Sequence, residues 1–372
     1  MADFLALARD LAPLIARHAD DTERGRQLAQ PLLDALFEAG LFRLLLPRQY
    51  GGAQIDALTF VQTMEEVAKA DASTAWVLCQ TAGCSMIAAY LEPRVAHQVY
   101  DDPRGVIAWG PPSPQQVAAV QGGFRVTATW PFCSGIRHAT WVGGAASVNG
   151  IERRLLFPKS EVQVLDVWHV MGLRGTGSDS FSVADHFVPL EHTALLDQPR
   201  ERRVEGALYC FHTGNLYAAG FAGVALGIAR SLLDAWRALA ASKRPRALRT
   251  ALREDAVTHS QLAQAEARWA AARGYLLDTI GSIWQAAESS GELSLDQRVH
   301  IRLASSQAIR EARHVADVAY HAAGSTAIFE GQPFERRFRD MHALAQQMQG
   351  RDDHFETVGR YLLLGDTTTH SL

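Results

Sequence analysis

Trp168-His169-Val170-Met171-Gly172-Leu173-Arg174-Gly175-Thr176-Gly177-Ser178-Asp179-Ser180-Phe181 is the stretch that decides the architecture of this chain. Three glycines, one arginine and three hydroxyls crowd into it, between segments of strand character. Glycine lets a backbone approach a flat or anionic ligand closely, and hydroxyls hydrogen-bond heteroatoms on a ligand's edge. The pattern lacks the Gly-Lys-Ser/Thr of a phosphate loop and does not open a helix, so it is not a nucleotide fingerprint. A nucleophile elbow is absent as well. A second marker lies upstream: Trp130-Pro131-Phe132-Cys133-Ser134-Gly135-Ile136-Arg137-His138-Ala139-Thr140-Trp141.

Around these markers the hydrophobic period is two. Phe124, Val126, Ala128 and Trp130 alternate with Arg125, Thr127 and Thr129, which predicts a half-buried strand after the Gly122-Gly123 turn. Further strands are expected at 140–148, 153–157, 162–167 and 181–188, and 107–113 as a proline-stiffened loop. On the N-terminal side the period is helical. Pro31 suits a first turn, Leu46-Pro47 to Gly51-Gly52 reads as a break, and a helix is expected over 57–70. Asp71 reads as the N-cap of a helix that is apolar nearly all round to residue 91 and therefore buried. On the C-terminal side, Leu262, Ala265, Trp269, Ala272, Leu276 and Ile280 step by three and four along one long helix. Others are expected near 213–240, 296–323 and 334–363, and four such helices bury their apolar faces as an antiparallel bundle.

Bulk composition narrows the classes. The chain has 372 residues, 48% hydrophobic and 20% charged, with a formal net charge of −4. A nucleic-acid surface would carry a basic excess, and none exists. The longest apolar run, 220–229, is about half of the ~20 residues a membrane helix needs. The first residues lack a basic n-region, so no secretory signal is expected. Cys79, Cys84, Cys133 and Cys210 have no CxxC spacing and read as reduced core residues of a cytoplasmic protein. Glu311-x-x-His314 is half of a di-iron motif without its second half, so no metal site is expected.

The order helices, strands, helices resembles the acyl-CoA dehydrogenase superfamily along the whole chain. The residues that carry the likeness are Tyr50-Gly51-Gly52, the 130–141 block, Gly172 to Ser178, Phe187-Val188-Pro189, the run from Pro333 to His342, and Gly359 to Leu363. The resemblance implies a mainly α fold with a central β domain. It divides into an N-terminal helical domain (1–103), a β-barrel-like middle domain (104–200) and a C-terminal four-helix bundle (201–372). It also implies a homotetramer or dimer. Within the superfamily, Ser134-Gly135-x-x-His138-Ala139-x-Trp141 and Arg339-Asp340 resemble the monooxygenases that take reduced FAD or FMN from a separate reductase and hydroxylate aromatic or heterocyclic substrates. The other branch is the FAD-dependent acyl-CoA dehydrogenases.

Either branch implies a flat flavin slot supplied by the 130–135 turn (Phe132, Cys133, Ser134) and the 172–178 loop (Arg174, Thr176, Ser178). In the monooxygenase branch a donor near flavin N5 would be useful, and Ser134 and Thr176 are the expected side chains. Trp109 reads either as a pocket wall or as core, Arg174 either as a flavin contact or as a salt bridge between domains. His138 reads either as a proton-exchanging imidazole or as a packed residue. The branch usually has a histidine eight residues after the arginine of Arg339-Asp340; this chain has Gln347 there, which cannot shuttle a proton, so either another group such as His342 faces substrate with it in that role or the reaction does not need one. Pointing the other way, Ile328-Phe329-Glu330-Gly331 resembles the dehydrogenase segment whose glutamate is the base, so Glu330 reads either as a base in a dry pocket or as a solvent-exposed loop acid before Pro333. The Lys243 to Arg253 run has no Phe-Gly, and its cations, Arg246 among them, read either as contacts to a flavin phosphate or as a solvated charge run linking helices.

Overall fold

The computed structural model describes residues 2–148, 150–245 and 250–365. Five helices come first: α1 (Phe4–Gly25), α2 (Gln30–Glu38), α3 (Ala57–Ala70), α4 (Ala72–Ser85) and α5 (Pro93–Tyr100). Asp56 and Asp71 cap α3 and α4 by accepting the Thr59 and Thr74 amide protons, each at 2.7 Å. Every residue of α4 except Gln80 is buried, as its all-round apolarity requires.

Eight strands follow: β1 (Ile107–Trp109), β2 (Gln115–Val120), β3 (Gly123–Trp130), β4 (Trp141–Val148), β5 (Ile151–Pro158), β6 (Gln163–Leu165), β7 (Ser180–Pro189) and β8 (Thr193–Ala194). They form two four-stranded sheets, ordered β1-β4-β5-β8 and β2-β3-β7-β6, antiparallel except for the parallel pair β1 and β4. Trp130 joins the sheets. Its ring stacks on Phe181 at 4.9 Å, tilts against Phe157 at 5.5 Å and donates to the Ala145 carbonyl at 3.1 Å. Three strands depart from expectation. Residues 107–109 are a buried strand rather than a loop, 115–120 is an edge strand with only Gln115 and Val117 half-buried, and 193–194 adds a two-residue strand on β5.

The remaining helices are α6 (Thr213–Ser242), α7 (Ala256–Ser290), α8 (Leu295–Ala323), α9 (Glu335–Ala345) and α10 (Asp353–Leu364). The single helix expected over 334–363 is thus two. The chain turns extended at Gln347, and Gly350 folds back so tightly that a Cβ there would lie 2.8 Å from the Ala345 carbonyl oxygen. By length and composition α6 could cross a bilayer, but 89% of its most apolar window is buried inside the protein. Gly223 and Gly227 let it press onto α3, where a Cβ would approach the Val61 and Glu65 carbonyl oxygens within 2.6 and 2.3 Å. Most of the buried apolar side chains from all three segments belong to one continuous core.

The glycine-rich loop is where the segments meet. A Cβ on Gly172 would lie 2.2 Å from the Arg339 carbonyl oxygen of α9, and one on Gly175 would lie 2.3 Å from Thr22 of α1 and 2.9 Å from Ser73 of α4. These two glycines serve protein packing, not the close ligand approach their pattern suggests. The Leu173 amide donates to buried Asp340 at 2.6 Å, with Leu173 itself at φ +53°. Replacing Gly172 by Ala is expected to lower unfolding stability by about 1–3 kcal/mol through overpacking against fixed backbone. Gly274→Ala, in α7 with nothing within 4 Å of a new Cβ, is expected to raise it by about 0.5–1 kcal/mol. Urea denaturation of both variants gives the two signs.

Candidate functional site

Backbone hydrogen bonds lock the two marker segments together. The Gly135 amide donates to Thr176 O at 2.9 Å and the Cys133 amide to Asp179 O at 3.0 Å. This pairing lines up three buried hydroxyls: Ser134 Oγ lies 2.6 Å from Ser178 Oγ, which lies 2.7 Å from Thr176 Oγ1. Thr176 donates onward to Leu173 O at 2.8 Å, and the Trp76 indole N–H donates to Ser134 at 2.9 Å. Asp179, also buried, accepts the amides of Val167 and Trp168 at 3.1 Å each and the Arg137 guanidinium at 2.7 Å. Arg137 and Arg26 both grip Asp166, so the rim of the site is tied to the end of α1.

Beside the hydroxyls is an apolar shelf. Phe132 is 60% exposed and sits at φ +57°, a left-handed conformation costly for a bulky side chain and held by the paired backbone around it. Its ring meets Trp168 edge to face at 6.1 Å, and Val167 and Met171 are exposed on the same loop. Arg174 is exposed with no ion pair among the described residues, so the salt bridge between domains is not formed. A flat conjugated ring needs one open apolar face, polar atoms at one edge and a cation for its phosphate. Phe132, the Ser134 group and Arg174 fit those needs.

Several expected residues turn away from this site. The Cys133 thiol is buried, lies 3.5 Å from the Trp130 carbonyl, and burial pushes its pKa far up. Trp109 is core: it is buried in β1, with the Arg154 guanidinium 5.3 Å above its ring. His138 Nε2 accepts the Leu28 amide at 3.0 Å, and burial, with help from Lys159 and Arg137, lowers its pKa to about 4. It is a neutral clamp between the β segment and the start of α2, not a proton shuttle near pH 7. Glu330 is exposed in the turn that carries the exposed Ile328 and Phe329, so this chain by itself does not give it a dry pocket. His342 Nε2 is engaged by Asp317 at 2.9 Å on a half-exposed helix face, its ring against Phe338. Arg246 lies outside the described residues. Glu311 of the half di-iron motif pairs with Arg268 at 2.9 Å.

Gln347 differs from these. Its Nε2 is buried with no hydrogen-bond partner among the described residues, and so are both side-chain polar atoms of Asn215 in the first turn of α6. The α9–α10 break that carries Gln347 packs against α6 and α8. Sequence reasoning missed Asn215, Trp76 and Asp340, and missed the Tyr217 hydroxyl, which donates to Gln80 O at 3.0 Å and lies 3.4 Å from the Cys84 sulfur. Only Asp340 carried a signal, as half of the Arg339-Asp340 pair.

Burial, aided by the nearby Asp71 charge, pushes the Asp340 carboxyl up to about 7, against the opposing pull of the Leu173 amide. The folded state therefore binds a proton that the unfolded chain has released between about pH 4 and 7, so this group's contribution falls as pH rises. Asp340→Asn keeps an acceptor for Leu173 and removes the titration. Its stability relative to the parent is expected to climb across that window, by up to about 1.4 kcal/mol per pH unit. Thermal melts of both proteins at pH 4.5 and 7 measure it.

The N-terminal domain of acyl-CoA dehydrogenase matches residues 4–97 and the C-terminal domain residues 219–349. The chain is 28% identical over 348 residues to an indole-3-acetate monooxygenase of Pseudomonas putida, covering 91% of this chain and 87% of that one. It is 29% identical over 349 residues to the flavin-dependent monooxygenase oxygenase subunit HsaA of Rhodococcus jostii, covering 90% and 91%. Its fold superimposes on the crystal structure of 3-HSA hydroxylase from Rhodococcus sp. RHA1 with a TM-score of 0.92 and 26% identity, over 100% of this chain and 98% of that one. The chain belongs to the acyl-CoA dehydrogenase family.

Proposed function

We propose that this protein is the oxygenase of a two-component, flavin-dependent monooxygenase acting on a small aromatic or heterocyclic substrate. A separate reductase would supply FAD or FMN in reduced form. The observation that carries the reading is the Ser134–Ser178–Thr176 hydroxyl group beside the exposed Phe132 shelf. Likeness to relatives named as oxygenase subunits supports it.

Bound reduced flavin supplies the electrons that activate O2. The chain's residues do the rest. Phe132, Val167, Trp168 and Met171 keep one face apolar, and Ser134 holds the polar edge. Arg174 offers its charge to a phosphate. Gln347 Nε2 and the Asn215 amide, buried without partners among the described residues, suit a hydroxyl or carbonyl on the substrate, since a buried amide group left unpaired costs about 1–3 kcal/mol. The domain limits at residues 103 and 200 belong to this reading. So does a homo-oligomer, because Ile328, Phe329 and the Leu362-Leu363-Leu364 end of α10 leave large apolar side chains exposed. Four buried free thiols suit a reducing, cytoplasmic setting.

The protein is expected to purify nearly colourless and to consume O2 with a hydroxylated product only when a flavin reductase is present. Glu330→Gln is expected to keep that activity within about twofold, and Gln347→Leu to raise KM for substrate about tenfold, the worth of one hydrogen bond. Oxidation of an acyl-CoA thioester without a reductase, abolished in Glu330→Gln, would overturn the proposal.

A further inference from the structure

The three hydroxyls between Trp76 and Leu173 own three protons and make three short oxygen–oxygen contacts. The last partner, the Leu173 carbonyl, brings no proton. The Thr176 proton therefore lies on Leu173 O, the Ser178 proton on Thr176 and the Ser134 proton on Ser178. Any other assignment sets lone pair against lone pair across a contact of 2.8 Å or less. At the other end the indole N–H of Trp76 can only donate. Ser134 is then left with its proton committed and one lone pair free.

The chain cannot readily reverse. Trp76, Ser134, Thr176 and Ser178 are at most 8% exposed, which leaves water little access to reorient them. Trp76 packs on Phe221 with ring centroids 4.1 Å apart, and Phe221 stacks on Tyr217. The far terminus is fixed as well, since Leu173 O also accepts the Trp168 indole N–H at 3.0 Å.

We infer that the hydroxyl chain presents Ser134 to flavin as a hydrogen-bond acceptor only, and that this polarity selects reduced over oxidised flavin. Reduced flavin carries a proton on N5 and can donate to Ser134; oxidised flavin has only a lone pair there and cannot. Trp76, Ser178 and Thr176 are positioning residues that act through Ser134. The expectation that Ser134 is a donor is reversed. The inference rests on the flavin reading above, and its test separates the two.

The test is anaerobic equilibrium binding of oxidised and reduced FMN and FAD to the full-length protein, with circular dichroism as the check on folding. Parent protein is expected to prefer the reduced form. Ser178→Ala removes the acceptor of the Ser134 proton. The near-isosteric Thr176→Val turns the Ser178 proton back onto Ser134, which frees the proton of Ser134. Each is expected to bind oxidised flavin roughly three- to tenfold tighter, the worth of one net hydrogen bond, and so to shrink the preference by that factor. Ser134→Ala is expected to weaken reduced flavin by a similar factor. An unchanged preference in both folded variants, equal weakening of both flavin forms, or a parent that prefers oxidised flavin overturns the inference and leaves the flavin reading standing. A parent that binds neither form overturns the flavin reading itself.

Discussion

One hydrogen bond in a dry junction governs this molecule: the Leu173 amide on the Asp340 carboxylate. It fixes a leucine in a left-handed conformation, so that its N–H faces α9 while its carbonyl faces back to Thr176 and Trp168. The orientation of the buried hydroxyls, and with it the chemistry offered at Ser134, is inherited from that bond. The glycines on either side let α1, α4 and α9 close around it. A carboxylate buried this deeply next to Asp71 is costly, and the nearby Arg336 offsets part of that cost.

Much of the scaffold was legible because its signals are local. The Asp71 cap, the all-round apolarity of α4 and the two-residue alternation of β3 each operate within a few residues. The elements that escaped have no such signal. β2 is a short edge strand whose half-buried face is only Gln115 and Val117, and the α9–α10 break contains no proline, only a glycine whose close return to Ala345 is a tertiary fact.

The site was half legible for a related reason. Ser134, Thr176 and Ser178 stand in recognisable segments, and the fold brings them together. Trp76 looks like any core tryptophan in an apolar helix, because its partner is 58 residues away. His138 reads the same whether it serves a ligand or a scaffold, and an amide 110 residues distant decides the matter. Glu330 sits in a motif resembling a catalytic one, yet local wording cannot say whether a loop is dry. Burial is a property of the whole fold.

The interruption between α9 and α10 has its own consequence. On one side α9 is anchored through Asp340 and Met341 in the main core, and on the other α10 rests on α8 through a separate small cluster of Val299 and Val358. Seven residues, 346–352, bridge two independent anchorages. Within them the exposed Gln346, Met348, Arg351 and Asp352 can vary without loosening either neighbour, whereas buried Gln349 and the tightly turned Gly350 cannot. Change confined to those exposed positions would leave both anchorages as they are.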